Sequence, residues 1–111
     1  MEKEHEKLLY ELHAEICKTL SNAKRLQIID VLRHGEMPVG ELALKTGIRI
    51  ANVSQHLAIM NQKGILKRRR EGLNIYYSIA HPKVVQAFDI MREVLLEKLE
   101  KQAKIAENVA K

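Results

Sequence analysis

Tryptophan is absent, phenylalanine occurs once and tyrosine three times in 111 residues, so the core must be aliphatic. The single cysteine, Cys17, has no partner for an internal disulfide, which fits a reducing cytoplasm. No apolar run approaches the ~20 residues that a membrane span needs. The Glu- and Lys-rich N-terminus shows no signal-peptide pattern. No Ser/His/Asp or Cys/His arrangement, phosphate loop or closely spaced acid pair in a cleft is visible, which argues against an enzyme. There is no internal repeat, low-complexity segment or linker. One domain over 1–111 is expected.

Apolar residues make up 46% of the chain and charged residues 30%, a composition that folds rather than stays disordered. The net charge of +5 is unevenly placed. Residues 1–20 carry −2, residues 21–62 carry +2, residues 63–82 carry +4 and residues 83–111 carry +1. The excess near residue 67 reads either as a solvated basic surface or as a local phosphate-facing patch.

Hydrophobic spacing predicts five helices and one hairpin. Leu8, Leu9, Leu12, Ile16 and Leu20 recur at helical spacing and place the first helix at about 4–19. Ser21 is the expected N-cap of a second helix, Ala23 to His34, closed by Gly35. Pro38 begins a short third helix ending at Thr46-Gly47. A fourth covers about Ile50 to Gln62, closed by Lys63-Gly64. Two strands follow, Ile65 to Arg70 and Leu73 to Ile79, joined at Glu71-Gly72. Pro82 opens a last helix reaching about residue 107. The expected class is mainly α with a small β-hairpin: a helix-turn-helix followed by a wing.

The stretch VGELALKTGIRIANVSQHLAIMNQKGILKRRREGLNIYY, residues 39–77, carries the functional signal. On a wheel of ~100° per residue, Ile50, Val53, Leu57 and Met60 share one side and should face the core. Ala51, Asn52, Gln55, Ala58, Ile59 and Gln62 lie opposite; Ser54 and His56 flank the apolar stripe. An outward face of amides and small side chains is unusual for a solvated helix, where Glu and Lys dominate. It suits a major groove, where Asn and Gln pair with adenine and an Ala methyl meets thymine. Ser54 and His56 are better placed for phosphate or helix packing. Lys67, Arg68, Arg69 and Arg70 alternate along a strand, two to each face. They serve as edge protection, as a wing gripping DNA, or as both.

A last helix of ~25 residues is nearly 40 Å long, more than a small winged core can cover. Val94, Leu95 and Leu99 on it, with Leu8, Leu9, Leu12 and Ile16 on the first helix, are the expected homodimer interface across a two-fold axis.

The segments LSNAKRLQIIDVLRHGEMPVGELA, TGIRIANVSQHLAIMNQKGILKRRREGLNIYYSI and HPKVV resemble the ArsR/SmtB family of transcriptional repressors. Val53-Ser54-Gln55-His56-Leu57, Gly64-Ile65-Leu66, Arg70-Glu71-Gly72 and Ile75-Tyr76-Tyr77-Ser78 carry most of that likeness. The resemblance implies a homodimeric winged helix on an inverted-repeat DNA operator. It places Ala51, Asn52, Ser54, Gln55 and His56 at recognition-helix contact positions. Arg49-Ile50 departs from the family's usual Ser and polar residue. That removes the customary N-cap and offers Arg49 as a phosphate contact instead.

Many members of that family bind metal through a Cys-Val-Cys motif at the third helix. Met37 to Leu42 contains no thiol, which excludes a soft-metal site of that type. Others use Asp-x-His and a later His on the last helix. Here Asp89 is followed two residues on by Met91 and no His lies beyond His81. No cofactor is therefore expected. The remaining candidates are the i, i+4 pairs His13/Cys17 and Asp30/His34, which are otherwise surface or interface groups. Cys17 also leaves open a thiol- or metal-responsive repressor, although redox sensors of the family use two cysteines per subunit. The other alternative is a winged-helix module that binds a protein.

Overall fold

The computed structural model describes residues 2–110; Met1 and Lys111 lie outside the described residues. Its elements are α1 (Glu2–Leu20), α2 (Ala23–Leu32), β1 (Met37–Pro38), α3 (Val39–Thr46), α4 (Ile50–Gln62), β2 (Leu66–Glu71), β3 (Asn74–Ile79) and α5 (Pro82–Ala110). The chain divides into two compact units, one ending at His81 and the other beginning at Pro82.

In the first unit the core is aliphatic, as the shortage of aromatics requires. Ile28, Ile29 and Leu32 of α2, Leu42 of α3, and Val53, Leu57 and Met60 of α4 are each at most 2% exposed. Met37, Ile48, Ile65 and Leu66 complete it.

The cap of α2 is Asn22, one residue beyond the expected Ser21. Asn22 has extended backbone, and its Oδ1 accepts from the amides of Lys24 at 3.0 Å and Arg25 at 3.2 Å. The amide of Ser21 still bonds back to the Lys18 carbonyl at 3.2 Å, so Ser21 finishes the turn that ends α1.

The turn between α3 and α4 rests on Thr46 and Gly47. Gly47 adopts φ +73, a left-handed conformation that a side chain would resist, and its amide donates to the Ala43 carbonyl at 2.9 Å. Thr46 Oγ1 donates to the Leu42 carbonyl at 2.6 Å and accepts from the Ile48 amide at 3.3 Å. Gln27 Nε2 of α2 donates to the Thr46 carbonyl at 3.1 Å, pinning the end of α3.

A Schellman arrangement ends α4. The Ile65 amide donates to the Met60 carbonyl at 3.0 Å and the Gly64 amide to the Asn61 carbonyl at 3.1 Å. Met60 and Ile65, which this motif brings together, are 0% and 2% exposed. Because the Ile65 amide is used here, β2 begins one residue later than expected.

Sequence spacing did not indicate β1. Met37 pairs with Tyr77 and Pro38 with Tyr76, adding a strand to the hairpin in the order β1-β3-β2, all antiparallel. Pro38 is thus an edge residue and the N-cap of α3, not its first helical residue. An edge strand tolerates its missing amide.

The second unit is α5, 29 residues long. Val84, Val85 and Phe88 are half-buried, while Val94, Leu95 and Leu99 are 55%, 53% and 58% exposed. No helix of the described residues is long and apolar enough to cross a membrane.

Candidate nucleic-acid interface

Val53, Leu57 and Met60, all fully buried, fix the rotation of α4 about its axis. Ala51, Ser54, Gln55, Ala58 and Gln62 are then exposed, and Asn52, His56 and Ile59 are half-buried. Ile50 departs from the wheel: it is 55% exposed, and Ile48 in the preceding turn is buried instead. Arg49 occupies the N-cap with an exposed side chain that makes no cap bond. The first-turn amides of α4 lack a side-chain acceptor, and together with the helix dipole they favour an anion there.

His56 is turned partly inward. Arg25 of α2 donates from Nε to His56 Nδ1 at 3.1 Å. A guanidinium only donates, so Nδ1 must be the acceptor and the imidazole neutral. Burial, then the positive charges of Arg25 and Lys24, hold its pKa below the ordinary imidazole value. Spacing alone did not identify Arg25, because its partner lies 31 residues away on another helix.

In the wing, Lys67 pairs with Ser78, Arg68 with Tyr77, Arg69 with Tyr76 and Arg70 with Ile75. Strand alternation puts Lys67 and Arg69 on one face, and Arg68 and Arg70 on the other with Leu66. Arg69 is held on its face. Its Nε donates to both Glu36 oxygens, at 3.1 and 2.8 Å, and its other nitrogens meet Glu36 at 2.5 Å and Glu71 at 2.7 Å. The guanidinium also lies 4.7 Å from the centre of the Tyr76 ring. Arg69 therefore staples β2 to the segment after α2. The same bonds hold the Glu36 carboxyl below its ordinary range. The staple is present above that ordinary value and is lost as pH falls through the lowered one.

Arg68 and Arg70 are exposed and have no ion-pair partner among the described residues. Lys67 is exposed and pulls on Glu36 through its charge. These differences distinguish the four adjacent cations by their partners. Arg70→Ala is expected to lower the salt slope of DNA binding by about one unit, and Arg69→Ala to weaken binding with little change in slope. Binding isotherms on random DNA at several salt concentrations check both; equal slope changes would contradict the assignment.

His13 and Cys17 are exposed on α1, and Asp30 pairs with Arg33 at 3.1 Å. No cluster of three or more His, Cys, Asp or Glu side chains that could hold a metal occurs among the described residues.

Comparison with known proteins agrees with this geometry. A family model described as bacterial regulatory protein, arsR family, matches residues 22–68. The HTH-type transcriptional regulator Rv0081 of Mycobacterium tuberculosis is 33% identical over 102 residues, covering 91% of this chain and 90% of that protein. Its crystal structure superposes with a TM-score of 0.76 at 34% identity, covering 86% of this chain and 96% of that one. The solution structure of the homodimeric winged helix-turn-helix DNA-binding domain of Mb0332 from Mycobacterium bovis gives a TM-score of 0.74 at 35% identity, covering 82% and 84% of the two chains. The transcriptional repressor PagR of Bacillus anthracis is 43% identical over 72 residues, covering 64% of this chain and 72% of that protein. With the α3–α4 turn, the outward face of α4 and the wing in place, these matches establish that the chain belongs to the arsR family of bacterial regulatory proteins.

Proposed function

We propose that the protein is a transcriptional repressor that binds an inverted-repeat operator in double-stranded DNA as a homodimer, in the cytoplasm. One observation carries the reading. The exposed face of α4 presents Ala51, Ser54, Gln55, Ala58 and Gln62 without a charge, while Arg49 and the cations of β2 stand at either end of the segment. Amides read base edges, and the flanking charges meet phosphate. Dimerisation is supported by the exposed apolar stripes of α1 and α5, and by the homodimeric state of the Mb0332 domain. The proposal includes no resident cofactor. His13 and Cys17 would give two ligands per chain, where zinc takes four.

The test is selection of bound sequences from random DNA, followed by variants on the selected site. Gln55→Ala or Asn52→Ala should weaken specific binding by ~1–3 kcal/mol at an adenine-containing position and leave nonspecific binding nearly intact. Equal losses on random DNA would count against base readout.

A second reading, docking of a protein partner, draws on Leu44 and Leu73, which are 86% and 101% exposed, and on exposed Ile50. They sit on α3, the hairpin turn and α4, and single exposed apolar residues are ordinary. If the protein has no salt-dependent affinity for any DNA, this second reading takes over.

A further inference from the structure

Two polar links join the last turns of α1 to α4. Thr19 is 4% exposed, and its Oγ1 donates to the Glu15 carbonyl at 2.8 Å. Arg25 donates from one terminal nitrogen to the Thr19 carbonyl at 2.9 Å and from Nε to His56 Nδ1 at 3.1 Å. Its own amide is held by the Asn22 cap at 3.2 Å, so the side chain projects from a fixed backbone. Two turns along α4, Lys63 pairs with Glu15 at 2.7 Å. The middle of α4 and its C-terminal cap are thus both tied to the end of α1.

We propose that Arg25 is a positioning residue for DNA reading: by holding Thr19 and His56 together, it sets the rotation of α4 against α1. The proposal rests on the reading of α4 as the DNA-reading helix. Gln55 is the immediate neighbour of His56, so the orientation of one constrains the other. Side-chain tips lie ~5–6 Å from a helix axis, so a 10° rotation would move them by about 1 Å. That is more than the ~0.5 Å window of a good hydrogen bond.

The link has a protonation requirement. A proton on Nδ1 would replace the hydrogen bond from Arg25 with an N–H facing a cation. Among the described residues, the charged groups acting on the imidazole are Arg25 and Lys24, both cations of α2. Both oppose protonation, so the link breaks only below the ordinary imidazole range. This gives a sign that separates positioning from contact. If His56 only positions α4, acid weakens specific binding. If His56 meets phosphate, acid strengthens it.

The readout is the ratio of affinity for the selected site to affinity for random DNA, followed by fluorescence anisotropy. Arg25→Met should lower the ratio about tenfold, the scale of one hydrogen bond from a charged group, and leave the salt slope on random DNA unchanged. The wild-type ratio should hold from about pH 7.5 down to the ordinary imidazole pKa of about 6.5, and fall at least about threefold as the pH is lowered further below it. His56→Gln keeps an acceptor that does not titrate in this range, and its ratio should stay level.

A slope lower by about one unit in Arg25→Met would put Arg25 on phosphate and overturn the proposal. So would a wild-type ratio that rises in acid, or a His56→Gln ratio that falls as the wild type does. If Arg25→Met does not fold, the wild-type and His56→Gln profiles decide alone. A wild type without salt-dependent affinity for any DNA removes the DNA reading and this proposal together. A wild type that binds, with both variants matching it, removes the proposal only.

Discussion

Leu12→Glu and Leu99→Glu are each expected to yield monomers by sedimentation and to lower operator affinity by about 10²- to 10⁴-fold, the avidity that joining two half-site readers supplies. In the single chain Leu12 is 56% and Leu99 58% exposed, so a carboxylate at either position disturbs the protomer's own fold little. Leu8 and Leu9 on α1, and Val94 and Leu95 on α5, are also more than half exposed. Exposed apolar patches mark association surfaces, and burying an unpaired carboxylate in one is strongly unfavourable. Ile16, the remaining residue of the expected interface, is half-buried within its own chain, so substituting it would mix folding with association. The expected monomer keeps its weak, salt-dependent affinity for random DNA. A variant that stays dimeric would refute the α1–α5 interface.

What was legible in the sequence was whatever depends on neighbouring residues. The limits of α4 could be read because Gly64 supplies the left-handed residue its C-terminus needs, at φ +77. The hairpin could be read from Gly72, at φ +62, but its two-residue turn is Gly72-Leu73 and not the expected Glu71-Gly72, because Glu71 still pairs with Asn74. Ala51, Gln55, Ala58 and Gln62 of the outward face of α4 followed from the period of Val53, Leu57 and Met60 alone, whereas Asn52 and Ile59, expected with them, are half-buried at its flank. The same wheel misplaced Ile50, because the turn residue Ile48 is buried near the start of α4 and a wheel contains only the helix. The Ser21/Asn22 exchange has a similar origin: two adjacent cap-formers compete, and the unfinished end of α1 decides between them.

What was not legible depends on partners distant in sequence. Two residues at Met37-Pro38 carry no alternation, and they become a strand only because β3 is beside them. Four consecutive cations look equivalent until Glu36, 33 residues before Arg69, engages one of them. His56 fits the family's contact positions, yet its Nδ1 edge is turned to Arg25. Of the four cations in the basic run, Arg69 is thus held by Glu36 and Glu71, while Lys67, Arg68 and Arg70 are exposed, as is Arg49 at the other end of α4.

Leu57→Ala carries the largest expected loss of stability. Leu57 is 0% exposed, between Val53 and Met60 on the one stripe that holds α4 to the core. Truncation removes three buried carbons and leaves a cavity, costing about 2–5 kcal/mol. A domain of this size has about 5–15 kcal/mol in total. The melting temperature should fall by on the order of 10–20 °C, measured at matched protein concentration because dimerisation also stabilises the folded chain. Leu44→Ala is the control: Leu44 on α3 is 86% exposed, and its loss should change stability by less than about 0.5 kcal/mol. The two variants remove the same atoms, so the difference between them measures burial alone. Operator binding by Leu57→Ala should weaken on warming as the folded fraction drops, and return on cooling with its sequence preference intact. A changed preference at low temperature would mean that the cavity lets α4 rotate, and that core packing also sets which bases are read.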